Sequence, residues 1–163
     1  NDKEAQFQLG AILSGGEGVD QDEARALGWY LRAAEQGHVQ AQYHLGNMYA
    51  TGRGVGCDPQ RALEWYRRAA EQGAANAQFN IGASYYNQSK WPEARDAFIK
   101  VTQNYPNEAE ANAGAWYKLG QTYERLNQLD AAKKAYETVV QKYASRFEAT
   151  QATSALQRLN RKL

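Results

Sequence analysis

An internal repeat is the feature that most constrains what this chain can fold into. The stretch from Ala41 to Gly73 is nearly repeated 36 residues earlier, with glycines, alanines and aromatics in the same order. Matched pairs include Leu9-Gly10 with Leu45-Gly46, Trp29-Tyr30 with Trp65-Tyr66, and Gln36-Gly37 with Gln72-Gly73. Self-similarity at a fixed period of this size is typical of proteins whose small structural units stack in a row. The sequence therefore predicts a stack of helical hairpins.

The repeat changes after Gly73 but does not stop. A glycine inside each first helix is followed by an alanine 16 residues later in the first two hairpins and 12 residues later in the last two. These pairs are Gly10 with Ala26, Gly46 with Ala62, Gly82 with Ala94, and Gly120 with Ala132. A mid-helix glycine costs about 1 kcal/mol relative to alanine. We therefore expect each glycine to allow close approach of the paired helix, with the alanine facing it.

Capping residues predict where several helices begin and end. Asp22 and Asp58 are suited to accept the free amide hydrogens of a first helical turn, and Gly37 and Gly73 suit the left-handed position that ends a helix. Residues 107–114 hold about four extra, helix-favouring residues and predict an extended helix. Ser145 is the predicted cap of a last helix that ends near residue 159. Its predicted buried face holds Phe147, Ala152, Ala155, Leu156 and Leu159.

The first two hairpins resemble the Sel1-like repeat, and the last two, with the shorter spacing, resemble the tetratricopeptide repeat. The resemblance implies an all-α fold, a right-handed α–α superhelix (solenoid) of four helical hairpins plus a C-terminal capping helix. Residues 1–73 would hold two Sel1-like repeats, residues 74–144 two tetratricopeptide-like repeats, and residues 145–163 the capping helix. We expect these three parts to form one continuous solenoid.

The last two hairpins also resemble the repeat domain of the periplasmic coordinator associated with the Tol–Pal envelope system. The residues that carry this resemblance are Asn104-Tyr105-Pro106-Asn107, Trp116-Tyr117-Lys118-Leu119-Gly120, Val139-Val140 and Lys142-Tyr143. It implies a bacterial periplasm or cell envelope, with the cytoplasm as the alternative. Since the chain starts at Asn1 inside a repeat helix, we expect a processed mature chain or an excised fragment.

Composition argues against several classes of function. Charges are nearly balanced, 19 basic against 18 acidic, so nothing draws the whole chain towards nucleic acid. No apolar run is long enough to insert into a membrane. Two histidines and Cys57 are too few and too scattered for a catalytic or metal site, although a thiol–imidazole pair of Cys57 with His44 is conceivable. We predict no enzyme activity, no cofactor and no metal.

The first helix of each hairpin holds the predicted binding surface. In tetratricopeptide-like stacks these helices line the concave face, and an aromatic recurs three residues before each helix glycine. The resemblance implies partner contacts, whereas the alternative is that the aromatics only pack between hairpins. The candidate residues are Phe7, Tyr43, Asn47, Phe79, Asn80, Ala83, Tyr117, Lys118 and Gln121.

The sequence thus predicts a non-enzymatic scaffold or adaptor that binds a partner peptide or helix on its concave face. A preformed surface of this kind binds an extended segment at little entropic cost. The alternative is an envelope regulator that stacks a glycan or peptidoglycan fragment on its tyrosines and tryptophans. We expect a monomer or a weak homo-oligomer.

Overall fold

The computed structural model describes residues 2–16, 18 and 20–161, and within them it contains nine α-helices and no β-strand. The helices are α1 (Lys3–Gly15), α2 (Glu23–Glu35), α3 (Val39–Thr51), α4 (Pro59–Glu71), α5 (Ala75–Asn87), α6 (Trp91–Asn104), α7 (Ala109–Arg125), α8 (Leu129–Lys142) and α9 (Phe147–Asn160). Consecutive helices pair as hairpins, and α9 is left over at the end. The prediction of an all-α chain of helical hairpins with one further helix is confirmed.

Two compact units divide these helices. Unit 1 comprises residues 1–77 and unit 2 comprises residues 78–163. In unit 1, α1 packs on α2, α2 on α3, and α3 on α4. In unit 2, α7 contacts α6, α8 and α9, and α8 also packs on α9. The predicted three-part division within one continuous solenoid stays a prediction.

Connection length explains why the repeat spacing changes along the chain. Residues 16–22 and 52–58 link the helices of the first two hairpins, whereas residues 88–90 and 126–128 link those of the last two. The shorter turns are possible because Ser89 and Asn127 take left-handed backbone angles, with φ of 59° and 56°. The four residues lost from each turn match the difference between the 16-residue and 12-residue spacings.

The contact made by the helix glycines differs from the prediction. A Cβ atom on Gly10 would lie 2.8 Å from the ring of Tyr30, and one on Gly82 would lie 2.6 Å from the ring of Phe98. Gly46 and Gly120 face Tyr66 and Tyr136 in the same way. The expected pairing of each glycine with an alanine is therefore wrong. The glycine makes room for a large aromatic ring, which lies four residues after the alanine.

Helix caps in the first two hairpins agree with the sequence. The Asp22 carboxylate accepts a hydrogen bond from the backbone N–H of Arg25 at 2.9 Å. Asp58 accepts two such bonds, each 3.1 Å long, at the start of α4, where Pro59 is the first residue. Gly37 and Gly73 have φ of 80° and 92°, the left-handed values expected just beyond a helix end.

The extended helix of the second half is also confirmed. Helix α7 has 17 residues, whereas α1, α3 and α5 have 13 each. The buried side chain of Asn112 holds its first turns in place. Its amide nitrogen donates to the backbone oxygen of Tyr105, beyond the end of α6, and to that of Glu108 at 3.0 Å. This amide therefore ties the extra turn of α7 to the chain that follows α6.

The start of the last helix differs from the prediction. Helix α9 begins at Phe147, and the preceding Arg146 makes no side-chain cap, so Ser145 is not the capping residue. Phe147 is 73% exposed, whereas Ala152, Ala155 and Leu159 are buried as predicted and Leu156 is partly buried. Phe147 lies five positions before Ala152, which rotates it about 140° around the helix from that buried stripe. The expectation that Phe147 is buried is therefore wrong.

Candidate functional site

The nine candidate residues fall in both units, and each unit brings its own members together. Phe7, Tyr43 and Asn47 belong to unit 1, on α1 and α3. The other six belong to unit 2, with Phe79, Asn80 and Ala83 on α5 and Tyr117, Lys118 and Gln121 on α7. The surfaces of the two units are therefore described separately.

The recurring aromatics of the first helices each pack on an aromatic of their own hairpin. Ring centroids lie 5.7 Å apart for Phe7 with Tyr30, 6.1 Å for Tyr43 with Tyr66, 5.5 Å for Phe79 with Phe98, and 5.7 Å for Tyr117 with Tyr136. All four pairs are tilted by 43° to 51°. Tilted pairs of this kind are a favourable arrangement of aromatic rings. The series therefore has a structural role in every hairpin.

The four aromatics of the first helices differ in how much of each side chain is exposed. Phe7 is only 8% exposed, and its ring also stacks on His38 at 4.5 Å, so it is a core residue of unit 1. Tyr43, Phe79 and Tyr117 are partly buried and keep part of each ring at the surface. These three can contact a ligand with one edge while packing with the other.

In unit 1 the polar candidate Asn47 is used within its own hairpin. The hydroxyl of Tyr66 donates to Asn47 Oδ1 at 2.7 Å, so the two helices are joined at this point. Tyr43 packs against the same Tyr66 ring. Replacing Tyr43 and Asn47 together would therefore disturb the hairpin as well as its surface, which makes them weaker binding candidates than their equivalents in unit 2.

In unit 2 the equivalent tyrosine has a different partner, so the Gln121 amide makes no bond to it. Tyr136 donates its hydroxyl to Glu124 Oε1 at 2.6 Å, not to Gln121, which follows its helix glycine as Asn47 does. The Gln121 amide nitrogen donates to the Tyr117 hydroxyl at 3.2 Å. Its Oε1 is buried, and among the described residues it has no hydrogen-bond partner. An unpaired buried carbonyl is costly, so a donor from a ligand would be favourable there.

Charged side chains surround this amide. Glu124 accepts two bonds from Arg158 of α9, at 2.6 and 2.8 Å, in addition to the Tyr136 hydroxyl. The Lys118 ammonium lies 4.8 Å from the ring centre of Tyr86, and burial lowers the pKa of this lysine. The Arg125 guanidinium lies 5.5 Å from the ring centre of Trp91. Two of the three cations therefore lie over aromatic faces, and the third is paired with an acid.

A groove runs beside Gln121. One cavity of about 390 Å³ is lined by Tyr86, Gln121, Glu124, Arg125 and Arg158. A second, of about 280 Å³, shares Gln121 and Arg158 and extends to Tyr117, Gln151 and Ser154. Helices α5, α7 and α9 thus form the walls, and Gln121 lies where the two cavities meet. We call this the α7 groove.

Several residues of the α7 groove were not among the sequence candidates. Tyr86 and Glu124 could have been found, because they lie seven residues after Phe79 and Tyr117 and so share their helix faces. Arg158 gave no such signal. The sequence predicts for its helix only a capping role, and its contact with Glu124 joins positions 34 residues apart.

The metal, thiol and membrane-spanning features considered from the sequence were compared with the described part of the chain. No group of three or more histidine, cysteine, aspartate or glutamate side chains there could hold a metal ion. Cys57 is exposed, and its thiol lies 3.4 Å from the backbone oxygen of Ala50. None of the described helices combines the length and the apolar composition needed to cross a bilayer.

Family models match most of the chain, segment by segment. Residues 3–38 and 39–73 each match the Sel1 repeat. Residues 76–108 and 113–141 match two models of the tetratricopeptide repeat. The matches fall on hairpins and change type after residue 73, as the spacing of the helix glycines does. They support the repeat family that the sequence resembles.

Solved structures show the same fold. A Sel1 repeat protein from Oxalobacter formigenes is 28% identical over 86% of this chain and 59% of its own, with a TM-score of 0.70. A protective antigen present in uropathogenic Escherichia coli strains is 26% identical over 99% of this chain and 42% of its own, with a TM-score of 0.58. This chain therefore spans less than two thirds of either.

A third structure shows similarity of fold alone. The MamA protein is 21% identical, with 97% of this chain and 82% of its own covered, and the TM-score is 0.71. A comparison with curated proteins gave no match. The Sel1 and tetratricopeptide repeats are generally scaffolds for protein–protein interaction, and their fold is typically non-catalytic.

Proposed function

We propose that this protein is a non-enzymatic adaptor that holds an extended peptide segment of a partner in the α7 groove of unit 2. The observation that carries the proposal is the amide of Gln121. Its nitrogen donates to the Tyr117 hydroxyl, whereas its oxygen is buried and has no partner among the described residues. The residue lines both cavities. Once the Gln121 side chain turns towards the cavities that this residue lines, a backbone N–H of an extended peptide could donate to its oxygen, whatever the side chains of the peptide are.

The rings beside the amide support a peptide ligand. Tyr86 lines one cavity and Tyr117 the other, so an aromatic surface lies on each side of Gln121. Aromatic side chains supply much of the binding energy at protein interfaces because they bury a large area with few rotatable bonds. Amide and ring together would fix the main chain and one or two side chains of the peptide.

The adaptor proposal extends to the concave face and to the setting of the protein. We place the peptide on the surface of the first helices because Tyr117, Lys118 and Gln121 all belong to α7. We also propose a bacterial cell envelope as the setting, on the resemblance of residues 104–143 to the periplasmic coordinator family. An antibody raised against this chain, applied to fractionated source cells, would test that setting. Recovery in the cytosolic fraction would overturn it.

The binding test compares two glutamines of unit 2. Gln121 lies in the α7 groove, whereas Gln141 is an exposed residue of α8 that lines neither cavity. Peptides would be selected from a random display library on the immobilised protein and then titrated against Gln121→Ala and Gln141→Ala. One hydrogen bond contributes about 0.5–1.5 kcal/mol, so we expect Gln121→Ala to weaken binding up to about tenfold. Gln141→Ala should leave the affinity unchanged.

Two results would overturn the adaptor proposal. If the two variants lose affinity equally, the peptide binds elsewhere. If no peptide is selected but soluble peptidoglycan fragments shift the tryptophan fluorescence, the ligand is a glycan and the alternative function holds. Circular dichroism of both variants would verify that neither substitution unfolds unit 2.

A further inference from the structure

The charge beside the α7 groove indicates which peptides it would accept. This inference rests on the proposed function, since it concerns the ligand of the same groove. Its starting point is Lys118, which is partly buried and lies with its ammonium 4.8 Å from the ring centre of Tyr86. Among the described residues no carboxylate forms an ion pair with it. A partly buried cation without a counter-ion is costly, and a ligand carboxylate would remove that cost.

The acid of the groove cannot supply the missing counter-ion. Glu124 is the one carboxylate among the residues that line the larger cavity. It already accepts two bonds from Arg158 and one from the Tyr136 hydroxyl. These contacts hold its oxygens against α8 and α9, so Glu124 would neither pair with Lys118 nor attract a basic ligand.

The remaining charges in and beside the groove are positive. With Glu124 and Arg158 paired, Arg125 is the unpaired charge among the residues that line the larger cavity, and it lies over the ring of Trp91. Lys118 lines neither cavity, but its ammonium lies over the ring of Tyr86, which lines the larger one. Unit 2 as a whole has twelve lysines and arginines against eight aspartates and glutamates, whereas unit 1 has seven against ten. Such a field would favour the approach of an acidic segment and disfavour a basic one.

The spacing of the polar groups suits an extended acidic peptide. Lys118 and Gln121 are three residues apart on α7, so their side chains lie on one helix face, with Cβ atoms about 5–6 Å apart. Neighbouring residues of an extended strand are about 3.3 Å apart. We propose that the α7 groove binds an extended segment in which an aspartate or glutamate carboxylate pairs with Lys118 and a nearby backbone N–H donates to Gln121.

The test uses three libraries of nine-residue peptides, blocked at both ends so that no terminal charge contributes. Randomised residues alternate with a fixed residue, which is glutamate in one library, glutamine in the second and lysine in the third. Retention on the immobilised full chain is measured at low and at physiological salt. A charge-assisted hydrogen bond is stronger than a neutral one, so we expect about tenfold higher retention of the glutamate library than of the glutamine library. The lysine library should be retained least.

Two lysine variants assign the preference to its residue. Lys118→Gln should lower retention of the glutamate library to that of the glutamine library. Lys134→Gln, at an exposed position on α8, removes the same charge from unit 2 away from the groove and should preserve the preference. If both variants reduce retention equally, the preference belongs to the general charge of unit 2, and the assignment to Lys118 is overturned.

The libraries also separate failure of this inference from failure of the adaptor proposal. Equal retention of the glutamate and glutamine libraries, both lost in Gln121→Ala, would overturn the acidic preference and leave peptide binding in place. Retention of none of the three libraries would overturn both. Loss of helicity in Lys118→Gln would be detected by circular dichroism. In that case Lys118→Met, which keeps the aliphatic packing against Tyr86, takes its place with the same expected loss of preference.

Discussion

At the scale of single residues, the close approach of paired helices depends on a glycine facing an aromatic ring. Gly10, Gly46, Gly82 and Gly120 each lie where a side chain would collide with the ring of the second helix. A glycine in a helix interior is otherwise unfavourable because it loses more backbone entropy than alanine. Close packing of the ring therefore offsets a local cost that recurs in every hairpin.

Two helix glycines of unit 1 allow this account to be tested. Gly46 faces Tyr66, whereas Gly28 of α2 is exposed and has nothing within 4 Å of where a Cβ would lie. We expect Gly46→Ala to lower the free energy of unfolding by about 1–3 kcal/mol through overpacking. Gly28→Ala should raise it by about 0.5–1 kcal/mol through helix propensity. Urea unfolding of both variants measures the difference, and a stabilising Gly46→Ala would contradict the role of the ring.

At the scale of helices, the two hairpins of unit 1 are joined by contacts that include titratable groups. His44 of α3 stacks on Tyr30 of α2 with ring centroids 5.2 Å apart and planes 8° apart. Arg53, beyond the end of α3, reaches back to Ser14 at 3.1 Å and to Glu23. Burial, the Arg53 charge and the His38 charge all lower the pKa of His44. The folded state therefore favours the neutral imidazole.

This lowered pKa gives a pH dependence of known sign. In the unfolded chain His44 takes up a proton near pH 6.5, whereas in the folded chain it does so only at lower pH. The unfolded state thus binds more protons in between, so stability should fall as the pH decreases through about 6.5. We expect the Tm to drop between pH 7.5 and 5.5, and the drop to be smaller in His44→Phe, which keeps a stacked ring. An equal drop in the variant would assign the effect to groups other than His44.

Helix α9 covers α8 and supplies one wall of the groove. Its buried Ala149, Ala152, Ala155 and Leu159 pack with Ala132, Tyr136 and Val139 of α8 in one cluster. Arg158, on the same helix, forms an ion pair with Glu124 of α7, in which one guanidinium nitrogen donates to both carboxylate oxygens. The helix therefore has both a structural role and a place in the candidate site.

Removing α9 should lower both the stability and the solubility of the protein. A chain that ends at Ala144 would expose the apolar face of α8, and we expect a lower Tm and a tendency to aggregate, because exposed apolar ends of repeat stacks reduce solubility. Phe147→Ser is the matched control, since this side chain is 73% exposed. Its replacement should change the free energy of unfolding by no more than about 0.5 kcal/mol. Sedimentation and thermal unfolding measure both. A shortened chain that stays monomeric with an unchanged Tm would show that α9 is dispensable for the fold.

At the scale of the whole molecule, equivalent repeat positions differ because their surroundings differ. Leu9 and Leu45 occupy the same place in the first two hairpins, yet Leu9 is 42% exposed and Leu45 is fully buried. Ile12 and Met48 show the same contrast, at 39% and 3%. Helix α3 packs on α2, whereas within the described residues of unit 1 no helix covers the corresponding face of α1. The place of a hairpin in the stack thus decides which of its apolar residues are core.

The contrast predicts unequal costs for the same substitution. Leu45→Ala should destabilise the protein by about 2–5 kcal/mol, because it leaves a cavity between α2 and α3. Leu9→Ala, at the equivalent position of α1, should cost less than about 1 kcal/mol, because half-exposed side chains lose little burial. Chemical unfolding of the two variants side by side gives both values. Equal costs would mean that another surface covers Leu9 in solution.

Apart from the cap expected at Ser145, sequence alone was sufficient for the features that depend on local order along the chain. The repeat period, the change from long to short turns, the caps at Asp22 and Asp58 and the longer α7 all follow from neighbours within one hairpin, where spacing fixes geometry. Tertiary structure was needed wherever a residue meets another helix. It decided that tyrosine and phenylalanine rings, not alanines, face the helix glycines, and that Phe147 is exposed. It also decided that Tyr136 bonds to Glu124 and leaves the oxygen of the Gln121 amide without a partner, because a tyrosine hydroxyl can reach several partners and packing selects one.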